Sequence, residues 1–395
     1  MNIAIIVITY NRPLSLSRLL SSIANAIYPK KEIPLLISID YEDSIDHHKV
    51  ISIAEEFEWN FGTKNIIKHL SNIGLREHVI SCGNLSENYE GIIMLEDDLF
   101  VSPYFYNYAE QLLFNHKDSE FIGGISLYNF EKNFNIGRPF RPAKNQYDIY
   151  YLQYAQSWGQ AWSKRMWSKF FEWYQDNKEW DITDFRIPSF VLNWPQSSWL
   201  KYFIKYLIIK NKYFAYPYIS LSTSFQDVGT HTNSASNICQ VALNIYDIIY
   251  KIPTFEKAII YDAFFERIDK TFLERIPVTD VLIDLYETKV NIENKRYWLS
   301  TKLLPYRIVK SYGLNLRPHE MNIVLNNMGH DIFIFDTLYP EKIIKDKKRF
   351  ITIFKYDYYN ISIFKLTNYV KTIILNNINK FNKFNKFYKY YKYNK

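Results

Sequence analysis

Three consecutive acidic residues, Glu96, Asp97 and Asp98, follow an apolar run of this 395-residue chain in the stretch IIMLEDDLF. Adjacent carboxylates repel one another, and at the end of a buried strand they are poorly solvated, so a cationic ligand is the expected compensation. Mg²⁺ or Mn²⁺ commonly binds one or two carboxylates together with the phosphates of a substrate. The triplet alone is also consistent with a solvated acidic turn, or with acids that cap a helix near Pro103.

Short apolar runs alternate with helix patterns before the triplet. Residues 3–9, IAIIVIT, are apolar and β-branched, which is typical of a buried parallel strand, and TYNRP then leads into a helix. The predicted elements are strands at 3–9, 34–39 and 66–69, helices from about 14, at 48–61 and at 72–84, and then the acidic strand. The predicted fold class is therefore α/β, a Rossmann-like, mostly parallel sheet flanked by helices.

Polar side chains occur where the predicted strands end. Thr9 closes the first strand, Asp40 follows the second and the acidic triplet closes the last. Ligands of such sheets bind beyond the carboxyl ends of the strands. The sequence therefore predicts one binding site that contains all of these residues.

Several motifs occur in an order that resembles a known family. TYNRP, Asp40, NIGLREHV and LEDDLFVSPYF are followed by SWGQAWSKRMWSKF and YPYISLSTSFQDVGTHT. Over about residues 1–235 this order resembles glycosyltransferases of the GT-A fold, especially family-2-type bacterial enzymes and the N-acetylglucosaminyltransferase I group. The resemblance implies transfer of a hexose or N-acetylhexosamine, with inversion, from a nucleotide-sugar donor, typically UDP-linked. It also implies dependence on Mn²⁺ or Mg²⁺.

The resemblance also implies roles for individual residues. Asp98, as the last acid of a motif that reads EDD where many relatives have DXD, is expected to bind the metal directly. Asp40 is expected to accept hydrogen bonds from the base or ribose, and Arg76 to approach the diphosphate. The remaining expected donor-binding residues are Thr9, Tyr10, Arg12, Glu96, Asp97, Trp158 and Gly159. A departing nucleoside diphosphate concentrates negative charge, which a divalent cation and a guanidinium neutralise.

An inverting transferase needs a carboxylate that removes the proton of the acceptor hydroxyl. The sequence offers Asp181 and Asp184 in EWDITDF, and Asp227 in FQDVGTHT. Asp181 is preferred because Trp180–Asp181 resembles a tryptophan–acid pair near the base of the N-acetylglucosaminyltransferase I group. An alternative alignment places Ser198–Trp199 there and leaves no acid.

Two further features allow a functional and a structural interpretation. His231, in GTHT, resembles a histidine of the family's donor-closing loop that binds metal or phosphate, although an isolated histidine is more often structural. Trp158 stands at the boundary of a loop, before a helix predicted at 160–174, and is expected against the donor sugar and acceptor. Trp162 and Trp167 have a simpler interpretation as anchors of the core.

Length and composition limit the remaining possibilities. We expect a catalytic domain at 1–240, a mainly helical region at 241–345 that serves packing or acceptor binding, and a tail at 346–395. Helical patterns lie at 241–252, 279–286 and 297–312, and a strand pattern lies at 331–335. Cys82 and Cys239 form no disulfide framework, and the chain begins with a core strand, so a cytoplasmic protein is expected. No apolar run is long enough to predict a spanning helix.

The carboxyl-terminal tail carries much of the net charge of +7. Residues 380–395 contain six lysines, seven aromatic residues and no acid, and without them the basic residues nearly balance the acidic ones. Lysines and aromatic rings favour an anionic membrane surface, so this tail could hold the protein at the inner face of a membrane. A disordered, low-complexity end is the alternative, and nucleic acid is an unlikely partner because the body is nearly neutral.

The expected function is the transfer of a sugar to a glycan or lipid-linked acceptor in bacterial surface polysaccharide synthesis. Sugar-phosphate nucleotidyltransferases also combine a parallel sheet with acids for Mg²⁺, but they have a glycine-rich loop after the first strand, which TYNRP lacks. The non-enzymatic alternative is a catalytically degenerate protein that binds a glycan or acts as a scaffold.

Overall fold

The computed structural model describes residues 1–29, 31–178, 184–227, 237–291, 294–342, 346, 349–358, 367 and 371. The chain divides into two compact units, Met1–Ile343 and Ile344–Lys395. No helix within the described residues is both long and apolar enough to cross a membrane. The predicted tail at 380–395 lies outside the described residues.

The first part of the chain alternates strands and helices as predicted. Its elements are β1 (Ile3–Thr9), α1 (Pro13–Ala24), β2 (Leu35–Ile39), α2 (Ile45–Glu56), β3 (Lys64–Lys68), α3 (Gly74–Asn84), β4 (Gly91–Glu96), β5 (Leu99–Val101) and α4 (Phe105–His116). Proline at the first helical position starts α1, and the Ser44 hydroxyl accepts a hydrogen bond from the His47 amide to start α2. Helix α2 therefore begins three residues before the predicted start.

The middle of the chain differs from the prediction at one point. Its elements are β6 (Ile122–Ser126), β7 (Lys132–Asn133), β8 (Arg138–Pro139), β9 (Ile149–Leu152), β10 (Gln160–Ser163), α5 (Lys164–Asp176), α6 (Ser189–Leu192), α7 (Trp199–Ile209), β11 (Tyr213–Pro217) and β12 (Ser222–Ser224). The helix predicted at 160–174 starts only at Lys164. Residues Gln160–Ser163 instead pair antiparallel with both β4 and β6.

The described residues of 241–345 form more strand than helix, so the prediction of a mainly helical region there is wrong. Its elements are β13 (Ile260–Tyr261), α8 (Lys270–Leu273), β14 (Val281–Asp284), β15 (Tyr297–Ser300), β16 (Tyr306–Tyr312), α9 (Met321–Val324), β17 (Ile332–Pro340) and, in the second unit, α10 (Arg349–Asp357). Strands β14, β15, β17 and β16 form a four-stranded sheet in that order. Only the strand predicted at 331–335 is confirmed, as part of β17.

Two physical causes account for this error. Short apolar runs such as Val281–Asp284 fit a strand as well as one turn of a helix, and pairing with distant strands decides between them. At 241–252 the Asn244 side chain bonds the amide and the carbonyl of Tyr246. This local pairing gives the backbone an alternative to helical hydrogen bonds.

The central sheet sets the position of the functional residues. Among the described residues nine strands form it in the order β13-β9-β11-β6-β10-β4-β1-β2-β3. Strand β1 runs parallel to both of its neighbours, with Thr9 opposite Ile39 and Ile8 opposite Glu96. Because these registers align the strand ends, the residues that follow β1, β2 and β4 emerge at one edge.

The core lies on both faces of this sheet. All seven residues of β1 are buried, and α1 buries one face that includes Leu16, Leu19 and Ile23. Trp162 and Trp167 are almost fully buried, and their rings meet edge to face at 5.0 Å between centroids. Both tryptophans are therefore core anchors, in agreement with the simpler interpretation.

Replacement of Gly83 by alanine tests the contact between α3 and α5. A Cβ atom at Gly83 would lie 1.8 Å from the Trp167 ring, so Gly83→Ala is expected to destabilise the fold by about 1–3 kcal/mol despite the better helix propensity of alanine. The measurement is the midpoint of urea unfolding. Ser81→Ala, at a half-buried position of the same helix, is the control, and equal midpoints for the two variants would contradict the proposed contact.

Candidate active site

The acidic triplet lies at the end of β4 and is largely withdrawn from solvent. Asp97 is 2% exposed and Asp98 9% exposed, and Glu96 is partly buried. Burial raises the pKa of Asp97 and of Asp98, and it raises the pKa of Glu96 to about 8, with repulsion from Asp98 adding to the shift. Negative charge at this edge is therefore costly until a cation compensates for it.

Arg12 supplies part of that compensation. Its guanidinium forms an ion pair with Asp97 and lies 3.6 Å from the Asp98 carboxylate, between the end of β1 and the start of α1. The Thr9 hydroxyl donates a 2.8 Å hydrogen bond to the other oxygen of Asp97. Asp97 is thus occupied by protein donors, whereas one oxygen of Asp98 has no such donor among the described residues.

The donor set fits a divalent cation at Asp98. Its Oδ1 atom is buried and has no hydrogen-bond partner among the described residues, which is costly for a carboxylate oxygen. The described residues contain no ready cage of three or more His, Cys, Asp or Glu side chains. A site of this kind suits Mg²⁺ or Mn²⁺, which are bound through one or two carboxylates and completed by substrate phosphates and water.

Asp40 connects the second strand to α3. Its Oδ1 atom accepts hydrogen bonds from the amides of Tyr41 (2.9 Å) and Ile73 (3.0 Å), and its Oδ2 atom accepts one from the Gly74 amide (3.0 Å). The carboxylate therefore binds the amino terminus of α3, where free amides and the helix dipole favour negative charge. The sequence-based role, contact with the base or ribose, stays a prediction.

These residues line one cleft of about 580 Å³. Of the predicted site residues, the cleft brings together Thr9, Tyr10, Arg12, Asp40, Glu96, Asp97, Asp98 and Trp158. Its volume lies within the range of pockets that hold small molecules and cofactors. These eight residues thus line a single cavity at the carboxyl edge of the sheet.

A polar network shapes the side of the cleft next to α2. The Asn72 amide donates to the Tyr10 hydroxyl (3.2 Å) and to the carbonyl of Tyr41 (3.0 Å). Asn11 donates to Glu42 (2.7 Å), which also lies 3.3 Å from the Tyr10 hydroxyl. This network holds Tyr10 in place at the cleft wall.

Trp158 and Gly159 lie directly before β10, and Trp158 lines the cleft. The Trp158 ring packs on Tyr128 and Phe134, at 4.7 and 5.0 Å between centroids. Gly159 has φ +88°, and a Cβ atom there would lie 3.0 Å from the Ser222 hydroxyl. The positive φ and the nearby Ser222 side chain therefore both favour glycine at position 159. The rings of Tyr128 and Phe134 hold Trp158 in place at the cleft.

Arg76 lies outside the set of residues that line the cleft. Its guanidinium donates to the carbonyl of Gln196 and to the Tyr202 hydroxyl, both at 3.1 Å. These bonds tie α3 to α7 and to the segment before it. The predicted contact of Arg76 with a diphosphate would require these bonds to rearrange, and it stays a prediction.

The candidate bases differ in their surroundings. Asp227 forms an ion pair with Arg18 and accepts a 2.6 Å hydrogen bond from Ser15; although burial opposes it, these contacts lower the pKa of Asp227. Hydrogen bonds from Arg186 lower the pKa of Asp184. Both environments stabilise the ionised carboxylate, which makes each aspartate a weaker base. Asp181, the preferred base, and the predicted metal ligand His231 lie outside the described residues.

Several cleft residues were not singled out from the sequence, among them Asn72, His78, Ser197 and Gln226. His78 is buried, its Nε2 atom lies 2.8 Å from the Ser38 hydroxyl, and burial lowers its pKa to about 4, so it is neutral at physiological pH. Asn72 and His78 both belong to NIGLREHV, so the motif contained the signal. Only their contacts with distant segments identify these two residues within the motif. Ser197 had no comparable signal.

The ion pair of Arg12 is expected to stabilise the metal-free protein. Arg12→Gln leaves the buried Asp97 without its counter-charge and should lower the free energy of unfolding by about 2–3 kcal/mol. Arg18→Gln breaks the more exposed pair with Asp227 and should cost less than about 1 kcal/mol. Urea unfolding in EDTA measures both, and a larger loss for Arg18→Gln would contradict the assignment.

The raised pKa of Glu96 predicts a specific dependence of stability on pH. An unfolded glutamate ionises near 4.5, whereas folded Glu96 holds its proton up to about pH 8, so the folded state loses stability as pH rises between these values. Glu96→Gln should remove this slope. Thermal unfolding in EDTA from pH 5 to pH 8 should show a stability advantage of the variant that grows with pH; parallel curves would refute the prediction.

Comparisons with solved structures find partial likenesses. S. aureus TarS 1–349 in complex with UDP-GlcNAc has 13% sequence identity and a TM-score of 0.39, covering 58% of this chain and 60% of that chain. Mannosyltransferase PcManGT from Pyrobaculum calidifontis in complex with GDP-Man and Mn²⁺ has 12% identity and a TM-score of 0.36, covering 55% and 57%. This chain thus spans less than two thirds of either structure.

Sequence comparisons add no relative. No protein-family model matches the chain, and no curated protein does. Structural likenesses of this size leave the function to be inferred from the site itself.

Proposed function

We propose that this chain is a glycosyltransferase that moves a sugar from a nucleotide-sugar donor, UDP-linked in our proposal, to a glycan or lipid-linked acceptor. The observation that carries the proposal is the Asp98 Oδ1 atom, which has no partner among the described residues and lies beside Arg12 in a cleft at the carboxyl edge of the sheet. A diphosphate needs a divalent cation and a guanidinium in this arrangement. Trp158 also lines the cleft, and its ring offers a face for a sugar.

In this proposal Asp98 holds the cation, with Asp97 next to it and His231 as a further proposed ligand. When bound, the cation supplies neutralisation of the charge that develops on the departing diphosphate. Arg12 adds positive charge on the same side of the cleft, and Thr9 keeps the Asp97 carboxylate oriented. Burial of the acids strengthens these interactions, since they act in a site with little water.

The proton acceptor is proposed to be Asp181, acting in a direct displacement that inverts the anomeric centre. Glu96 is the carboxylate among the described residues that lines both the cleft and a second cavity beside it. Loss of transfer in Asp181→Asn with donor hydrolysis retained would support Asp181 as the base. The same pattern in Glu96→Gln alone would assign the role to Glu96.

We further propose that the acceptor belongs to bacterial surface polysaccharide synthesis and that the lysine-rich tail at 380–395 attaches the protein to an anionic membrane surface. Liposome sedimentation with and without that segment tests the attachment. Equal sedimentation of the two proteins would exclude the tail as an anchor.

The site is expected to bind and slowly hydrolyse one nucleotide sugar in the presence of Mn²⁺. Asp98→Ala should abolish Mn²⁺-dependent thermal stabilisation by that donor and lower its hydrolysis by about 100-fold, because the cation loses its direct ligand. Asp118→Ala, at an exposed position after α4, is the control and should behave as the wild type. A panel of UDP and GDP sugars provides the measurement. No response to any donor would favour a catalytically degenerate, glycan-binding or scaffold protein.

A further inference from the structure

A second cavity, of about 560 Å³, adjoins the cleft and shares Leu75, Glu96, Trp158 and Ser197 with it. Its wall is rich in aromatic side chains: Phe130, Phe134, Tyr154, Trp158, Phe190, Trp194 and Trp199. We call this cavity the aromatic pocket. Since it opens from the end of the cleft that holds Trp158, a molecule in it would lie directly beside a donor in the cleft.

The charge of the aromatic pocket selects its ligand. Glu96, at the junction with the cleft, is the one ionisable acid or base among the described residues that line it; no lysine, arginine or histidine does. A phosphate or carboxylate inside the pocket would therefore have no counter-charge and would face the Glu96 side chain. The pocket thus suits a neutral ligand, in contrast to the cleft with its Arg12.

The wall combines a rigid base with exposed rings. Phe130, Tyr154 and Trp199 are at most 2% exposed, whereas Phe190 is 38% exposed and meets the Trp194 ring edge to face at 5.7 Å between centroids. Exposed aromatic rings that are held in place offer flat apolar faces to a ligand at little entropic cost.

Polar groups accompany these rings. Ser157, Ser197 and Ser198 line the pocket, and so does Tyr154. The Tyr154 hydroxyl is buried and has no hydrogen-bond partner among the described residues. A small number of polar groups among apolar walls is typical of sites that fix the orientation of a small molecule. Flat apolar faces with hydroxyl partners at their edges match a sugar ring, which has apolar C–H faces and a polar rim.

We propose that the aromatic pocket binds a neutral pyranose ring of the acceptor and directs its reacting hydroxyl toward Glu96 and the cleft. This inference rests on the proposed glycosyltransferase function and specifies the acceptor group that occupies the site. An anionic sugar or a lipid phosphate lies outside the pocket.

The test measures binding of methyl pyranosides to the full-length protein by saturation-transfer NMR, with glucuronic acid and glucose 6-phosphate as anionic counterparts. Mn²⁺-dependent binding of UDP and GDP is measured in parallel. Trp194→Ala should weaken pyranoside binding by about tenfold, because it removes one stacking face, and should leave nucleotide affinity unchanged. Phe114→Ala, at a 58% exposed position on α4 that does not line the pocket, is the control.

The outcomes separate this inference from the proposed function. Binding of neutral pyranosides that is weakened in Trp194→Ala and in Phe190→Ala, with nucleotide binding retained, supports the inference. Equal or tighter binding of the anionic sugars, no pyranoside binding, or binding unaffected by both substitutions overturns it, even when nucleotide binds. Pyranoside binding without any nucleotide binding would overturn the proposed function and identify a glycan-binding site.

Discussion

Compensation of buried negative charge is the constraint on which the functional edge of this protein depends. Asp97 and Asp98 are at least nine-tenths buried at the end of β4, and Arg12 is the cation that faces both of them among the described residues. Burial raises the pKa of each of the three acids. The single guanidinium of Arg12 opposes this shift but does not balance three carboxyl groups. The fold therefore tolerates an electrostatic cost at this point, which a bound cation would relieve.

The sheet registers explain why the charges meet. Parallel pairing of β1 with β2 and with β4 brings Thr9, Asp40 and the acidic triplet to the same edge, although about 90 residues separate the first from the last. Asp40 then binds the amides at the start of α3, which orients Asn72 and His78 toward the cleft. Backbone geometry thus positions both the acids and the polar groups around them.

Sequence patterns predicted the first half of the fold closely and the last third poorly. Long β-branched runs such as Ile3–Thr9 have one favourable environment, a buried parallel strand, and their assignment holds. The short runs at Val281–Asp284 and Tyr297–Ser300 are stabilised by strands far away in the chain, so local periodicity could not distinguish strand from helix. The same limitation explains Gln160–Ser163, a strand between two others that was predicted as helix.

For the candidate site, the sequence by itself determined the chemistry of the strand ends: three adjacent acids, an arginine after the first strand and an aspartate after the second. Only the tertiary structure decided how these groups are used. It pairs Arg12 with Asp97 and leaves one oxygen of Asp98 without a partner among the described residues. It also engages Asp40 and Asp227 with protein donors and places Trp194 and Phe134 in one pocket. The reason is that strand ends follow from local patterns, whereas pairing between side chains depends on contacts between distant segments, which no local pattern records.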